Sequence, residues 1–316
     1  MAANPKSPVL MDGVKTSHEY HAEAHVLSGH LQLPVRQPIQ HHALVVLKDP
    51  RGGHFTQFSE DYSLEGLISF KTGRTRVSGS PGLKAGHGFV TLSTSVIEGL
   101  NVFEVITADR MVAQVSTDHL VENPHVPEVT FLGTRFENLR IGGYPIEVEL
   151  DLKICGEKPE HDKMYKQDPE FLDRVGQQCA SIVRKPGLPT EVKAQYDEEL
   201  AYLDELKERC NGSGKGGPSA SGKGGSDRPI TCSLVKNISG KLPPGVNVFG
   251  NLLEIPGFGM VSLAEVEVGT ETETGSHGDP RISNYFTVRM LNMKLGCIGH
   301  GEVVAGHAKT NGQTSP

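Results

Sequence analysis

The feature that most limits what this chain can fold into is a pair of glycines, Gly142-Gly143, set between two runs of alternating apolar residues. Leu139 and Ile141 stand before the pair, and Ile146, Val148 and Leu150 follow it. A two-residue Gly-Gly loop admits the positive φ that type I′ and II′ turns require. Those turns twist as their flanking strands do, so the spacing predicts a β-hairpin. The second arm, Ile146-Glu-Val-Glu-Leu-Asp-Leu152, alternates apolar and acidic residues. That is the pattern of an antiparallel strand with one buried face and one wet face.

Shorter versions of the same text recur on both sides. Residues 22–33 read as a strand pair broken at Gly29, and Ala43-Leu-Val-Val-Leu47 as a strand ending in a Lys-Asp-Pro-Arg-Gly-Gly turn. Tyr62 to Phe70, Thr75 to Ser78, Phe89 to Ile97, Leu100 to Ile106, Met111 to Thr117 and Val129 to Leu132 continue the series. Past residue 228, Ile230 to Val235, Leu252 to Ile255, Gly259 to Val268 and Tyr285 to Leu295 resume it, with a long polar loop over 269–283 and a possible last strand at Glu302 to Ala305. With 37 glycines and 20 prolines supplying turns, the expected fold is mainly β: an antiparallel sandwich or barrel-like body.

Between residues 157 and 210 glycine becomes rare and charge dense. Asp168-Pro169 suits the N-cap and first position of a helix over 169–183. From Thr190 a second helix carries Tyr196, Leu200, Leu203 and Leu206 on one stripe, suited to packing on the sheet or to a partner. The resulting organisation is a flexible arm (1–17), a first β part (18–156), an inserted helical hairpin (157–210), a Gly/Ser/Lys linker (211–227), a second β part (228–308) and a polar tail (309–316). The two β parts are expected to form one body, since insertion at an exposed loop costs little.

A formal net charge of −7 argues against general nucleic-acid binding, which needs surplus Lys and Arg to neutralise phosphates. No apolar run is long enough to span a membrane, and no leader follows Met1, so the expected compartment is the cytoplasm, or the cell surface for a processed form. Five cysteines without a CxxC pair read as buried small hydrophobes, although a Cys210–Cys232 bridge is conceivable in an exported chain.

Candidates for chemistry are few. Gly217-Pro-Ser-Ala-Ser-Gly-Lys-Gly224 imitates a phosphate-binding loop but puts Gly224 where a Ser or Thr must hold magnesium, and no strand or helix flanks it. The histidines are the one suggestive enrichment. Six of fourteen fall between His18 and His42: His18, His21, His25, His30, His41 and His42. His41 and His42 with His54, or the His18, His21, His25 series, could converge on a metal, yet neighbours on a strand face opposite sides. His87 and His300 sit in Gly-His-Gly loops. GxSxG and HExxH are absent, and Asp109-Arg110 reads as a buried ion pair or a turn. The sequons at Asn211 and Asn237 matter only on a secretory route. No residue set meets the standard for a catalytic, cofactor-binding or metal assignment, and no cofactor is expected.

Ile97-Glu-Gly-Leu-Asn-Val102 with Ile106-Thr-Ala-Asp109, then Phe136 to Ile146, Ile255-Pro-Gly-Phe-Gly259 and Met290 to Cys297 are short turn-and-strand phrases. They resemble uncharacterised bacterial proteins, including the choice-of-anchor β-rich surface family. The resemblance implies a β-rich extracellular or envelope module without known enzymatic activity, and it carries no site residues. The functional expectation is therefore a non-enzymatic structural or binding protein, self-assembling through sheet edges or the helical insert, with protein partners or its own copies and no small-molecule ligand identified. The alternative is a metal-dependent enzyme using histidines of the N-terminal block.

Overall fold

The structure is a computed structural model of the 316-residue chain and describes residues 17–83, 87–160, 163–211, 228–274, 280–296 and 300–315. The arm, the Gly/Ser/Lys linker with its phosphate-loop imitation, and Cys297 lie outside these residues. The chain begins with β1 (Ser17–Leu33), β2 (Gln37–His42), β3 (Val45–Asp49), β4 (Gly53–Leu64), β5 (Ile68–Pro81) and β6 (His87–Val102). It continues through β7 (Ile106–Leu120), β8 (Asn123–Thr130), β9 (Arg135–Glu137), β10 (Arg140–Ile141) and β11 (Tyr144–Leu150) to helices α1 (Pro169–Val183) and α2 (Thr190–Asn211). Then come β12 (Ile230–Ser233), β13 (Val235–Gly240), β14 (Asn247–Phe249), β15 (Leu252–Ile255), β16 (Gly259–Thr274), β17 (Pro280–Leu295), β18 (His300–Thr310) and β19 (Gln313–Ser315).

The strands form two antiparallel sheets that pack as a sandwich and do not close into a barrel. One has ten strands in the order β14-β15-β16-β17-β18-β1-β19, with β12 on β16 and β2 and β3 on β1. The other has nine, in the order β13-β11-β10-β7-β6-β5-β4, with β8 and β9 on β7. A single apolar cluster contains Val26 and Ile97 from before the helices, Phe171 and Leu203 within them, and Leu263 and Phe286 after them. The helical hairpin is thus part of the same core.

The Gly-Gly hairpin forms as its spacing demands: Ile141 pairs with Tyr144 across Gly142 (φ +55°) and Gly143 (φ +82°). Helix α1 starts where its cap residues place it, with Asp168 accepting from the amides of Glu170 and Phe171 at 3.3 and 3.1 Å. The stripe on α2 is spent inside the chain: Leu203 and Leu206 are buried, and Tyr196 and Leu200 pack against the core.

Five local expectations are corrected. Residues 22–33 do not break at Gly29, because β1 runs straight through it and a Cβ there would lie 2.2 Å from the Glu302 carbonyl oxygen of β18. Leu100 to Ile106 is not a separate strand but the end of β6, a tight turn and the start of β7. Phe103 and Glu104 take the positive φ without glycine, and the Asn101 side chain accepts from the Glu104 amide at 2.8 Å. The polar loop over 269–283 is mostly hairpin, since β16 and β17 stay in register from Gly259↔Leu295 to Thr274↔Pro280. The tail does not fray: β18 extends to Thr310 and β19 pairs Ser315 with Ser17. Its polarity misled because its polar groups are satisfied internally, as where the Ser283 hydroxyl donates to Asn311 Oδ1 at 2.6 Å. Asp109-Arg110 lies on β7 and is no mutual ion pair. Asp109 accepts from Asn138 at 2.6 Å, and Arg110 faces Glu98 at 3.5 Å.

One irregularity shapes the outer face of the ten-stranded sheet. The ladder is in register through the row His25–His307–Arg289–Glu265 and again through Leu27–Ala305–Leu291–Leu263. Between these rows stand Val26, Gly306 (φ +68°), Met290 and Ala264 (φ +44°). The buried positions shift by one residue across it, from Ala24, Ala308, Val288 and Val266 to Leu27, Ala305, Leu291 and Leu263. An extra residue on every strand acts as a bulge running across the sheet. It lets side chains three apart share a face, which an unbroken strand forbids.

Candidate metal centre

The row His25–His307–Arg289–Glu265 crosses four adjacent strands, β1, β18, β17 and β16, and the next row holds Glu23, Lys309, Thr287 and Glu267. Arg289 donates to Glu265 at 3.0 Å and to Glu267 at 2.9 Å, and the Tyr285 hydroxyl donates to Glu267 at 2.6 Å. Lys309 pairs with Glu271 at 2.5 Å. These partners engage three of the four acids, with two positive charges set against three carboxylates. Glu23 is left facing His25, its carboxylate 4.0 Å from Nδ1.

His25 and His307 are both buried, with their rings stacked at a centroid distance of 4.3 Å, and the exposed His41 of β2 covers the other side of His25 at 4.6 Å. The transverse bulge brings Ser28 onto the same face, where its hydroxyl lies 2.9 Å from His25 Nε2. Burial, then the nearby His41 and Arg289, pushes the His25 pKa down to about 3. Burial, then His25 and Arg289, holds His307 well below the ordinary range. Both imidazoles are neutral at neutral pH, the form in which a histidine binds a metal. One ligand atom each from Glu23, His25 and His307 falls within 4.8 Å of the others.

The same residues set out a serine–histidine–carboxylate order, Ser28, His25, Glu23, but its chemistry is poor. A base with a pKa of about 3 is far from the operating pH, 4.0 Å is beyond a hydrogen bond, and Ser28 is buried beneath the rings. Two imidazoles and a carboxylate suit zinc, iron, cobalt or nickel better than acyl transfer.

Beside this row, α2 and the outer sheet face enclose a groove of about 1010 Å³, lined among others by Tyr196, Glu199, Arg228, Glu265, Asn292 and Lys294. Glu265 thus faces the groove and also holds Arg289. Burial pushes the Glu199 carboxyl up, against the pull of Arg228.

The N-terminal histidines do not converge as one set. His25 lies on the outer face, whereas His18, seven residues earlier, turns into the sandwich and meets His119 of β7. His41 and His42 take opposite sides of β2, as neighbours on a strand must: His41 contacts His25 and His42 packs on Tyr62 at 4.0 Å. His54 is exposed on β4, paired with Ser78. His30 is exposed on β1, His300 is exposed at the start of β18, and His87 opens β6. Sequence reasoning missed Glu23, His119 and His307. The two-residue spacing of Glu23 and His25, which puts both on one face of a strand, was available as a signal. The pairing of His307 was not, because it lies past the expected last strand, Glu302 to Ala305, and its partner on β1 is distant in the chain.

A family model described as a domain of unknown function, DUF8256, matches residues 18–269, more than half of the chain. The chain belongs to that family. The match ends within β16, so His307 and the strands that complete the sheet lie beyond it. No curated protein and no solved structure matches the chain.

Proposed function

We propose that this member of the DUF8256 family is a non-enzymatic binding module whose ligand is a divalent transition-metal ion, held by His25, His307 and Glu23 on the outer face of the ten-stranded sheet. The observation that supports it most is the approach of three donor atoms to within 4.8 Å of one another from two paired strands. Glu23 supplies a carboxylate where the neighbouring acids are already engaged by Arg289 and Lys309, and the two imidazoles bind without first losing a proton. His41, exposed beside His25, is positioned to add a fourth ligand by a side-chain rotation.

The test is a zinc and cobalt titration of chelator-treated protein without a histidine tag, with stoichiometry by elemental analysis and mass by light scattering. One equivalent is expected, lost in His307→Ala, weakened in Glu23→Gln and unchanged in His54→Ala. No uptake by the wild type, or uptake indifferent to His307→Ala, would overturn the reading. Metal-dependent turnover of a substrate by the wild type would move it to the enzyme alternative.

A further inference from the structure

A second pair of buried imidazoles plays no part in that site. His18 of β1 and His119 of β7 come from opposite sheets and meet inside the sandwich, ring centroids 4.7 Å apart. His119 Nδ1 lies 2.6 Å from the Pro124 carbonyl oxygen. A carbonyl only accepts, so Nδ1 carries the proton and Nε2 presents a bare lone pair. This is the arrangement by which an outer partner orients a ligating histidine. His18 Nδ1 is engaged with the Thr314 hydroxyl of β19 at 2.7 Å.

The Nε2 atoms of both rings are buried without a hydrogen-bond partner. They face the same small space. A Cβ built on Gly312 would stand 3.0 Å from His18 Nε2 and 3.1 Å from His119 Nε2, so only a glycine leaves that spot open. The surroundings are aromatic: Phe89 stacks on His18 at 4.5 Å, and Tyr20 meets it edge-on at 4.5 Å. The charged groups felt by His119 are basic, Lys158 and His125, and no carboxylate is among them to offset a doubly charged ion.

We propose that His18 Nε2 and His119 Nε2, over Gly312, form a two-coordinate site for a soft monovalent cation, copper(I). Two neutral imidazoles satisfy copper(I) in a near-linear arrangement, whereas a dication wants four ligands and anionic compensation that the pocket lacks. A water there would have two polar partners, the lower limit for a buried water.

The experiment is an anaerobic copper(I) titration of the full, chelator-treated chain in competition with bicinchoninate. The wild type is expected to take up one equivalent. The His307→Ala chain should do the same, which separates this site from the divalent one. Gly312→Ala, whose backbone is not in the left-handed region, should weaken binding by at least about 100-fold, because the added methyl group fills the space between the ligands. His119→Asn should do likewise, since it can keep a donor to Pro124 but has no Nε2. If Gly312→Ala fails to fold by circular dichroism, His119→Asn decides. No competition by the wild type, equal binding by the folded variants, or a copper(I)-soaked crystal with only water between the rings would overturn the proposal.

Discussion

Acid should unfold this chain earlier than its carboxylates dictate. Burial, followed by the charge of His119, pushes His18 down to about 2, burial leads the causes that push His25 to about 3, and burial likewise brings His119 to about 4, each from an ordinary 6.5. A group whose pKa is depressed in the folded state leaves stability untouched above the unfolded value. Below it the unfolded chain takes up a proton that the folded chain refuses, so stability falls as pH drops from about 6.5 toward the folded pKa. At pH 5 all three folded imidazoles remain neutral, and each costs about 2 kcal/mol. Together they remove about 6 kcal/mol, and His307 acts in the same direction. Against a typical net stability of about 5–15 kcal/mol, that loss is decisive. Depressed carboxylates exert their effect only at lower pH, and the raised Glu199 carboxyl acts in the opposite direction, so a loss of stability between 7.5 and 5 comes from the histidines. Urea unfolding of chelator-treated protein at pH 7.5, 6 and 5, at constant ionic strength, should show the midpoint falling steeply with an unchanged slope. A stability at pH 5 within about 1 kcal/mol of that at pH 7.5 would refute the reasoning, because the rings would then be protonating in the folded state.

Two further outcomes test the packing. Gly306→Ala places a methyl 3.0 Å from Met290 Cγ at φ +68°, which should cost at least about 1–2 kcal/mol in urea denaturation. It should also lower metal uptake, because Gly306 sits in the bulge that sets His307 beside His25. Burial pushes the thiols of Cys155 and Cys179 up to about 12 and raises Cys232 well above its usual value. In a Cys297→Ser chain, native labelling by a thiol reagent should therefore be fast only at the half-buried Cys210, and all four should react on unfolding. Neither Cys210 nor Cys232 is in a disulfide, so reductant should not change the melting temperature.

The parts legible in the sequence were those where local chemistry and tertiary packing agree. Gly142-Gly143 had only one good turn to make, Asp168-Pro169 only one helix end, and the α2 leucines one face to bury. Legibility failed where satisfaction is non-local. Phe103-Glu104 carries no glycine to announce a primed turn, which is held by a side chain from Asn101. Glu271 and Asn311 to Thr314 look like loop because their polar side chains find partners on strands distant in the chain. The site failed for the same reason: His25 with His307, and His18 with His119, are pairings between segments far apart, and parity along β1 predicts only which residues cannot meet.

Burying four neutral imidazoles is a poor way to stabilise a sandwich, and that bears on what they are for. His18 Nε2, His25 Nδ1 and His119 Nε2 are buried without partners, and each such group costs about 1–3 kcal/mol relative to an apolar side chain of similar shape. Departures of this kind from local consistency concentrate at functional sites. A His25→Leu/His307→Leu chain separates the two explanations. If the rings serve a ligand, the apo variant should be at least as stable as the wild type at pH 7.5. At pH 5 it should be more stable by at least about 2 kcal/mol, from His25 alone, and it should bind no zinc. If the rings instead hold the bulge together, through the 2.9 Å contact to Ser28 and the stack between β1 and β18, the variant should lose several kcal/mol at pH 7.5. Such a loss in urea unfolding would identify the pair as structural and remove the case for a ligand on this face.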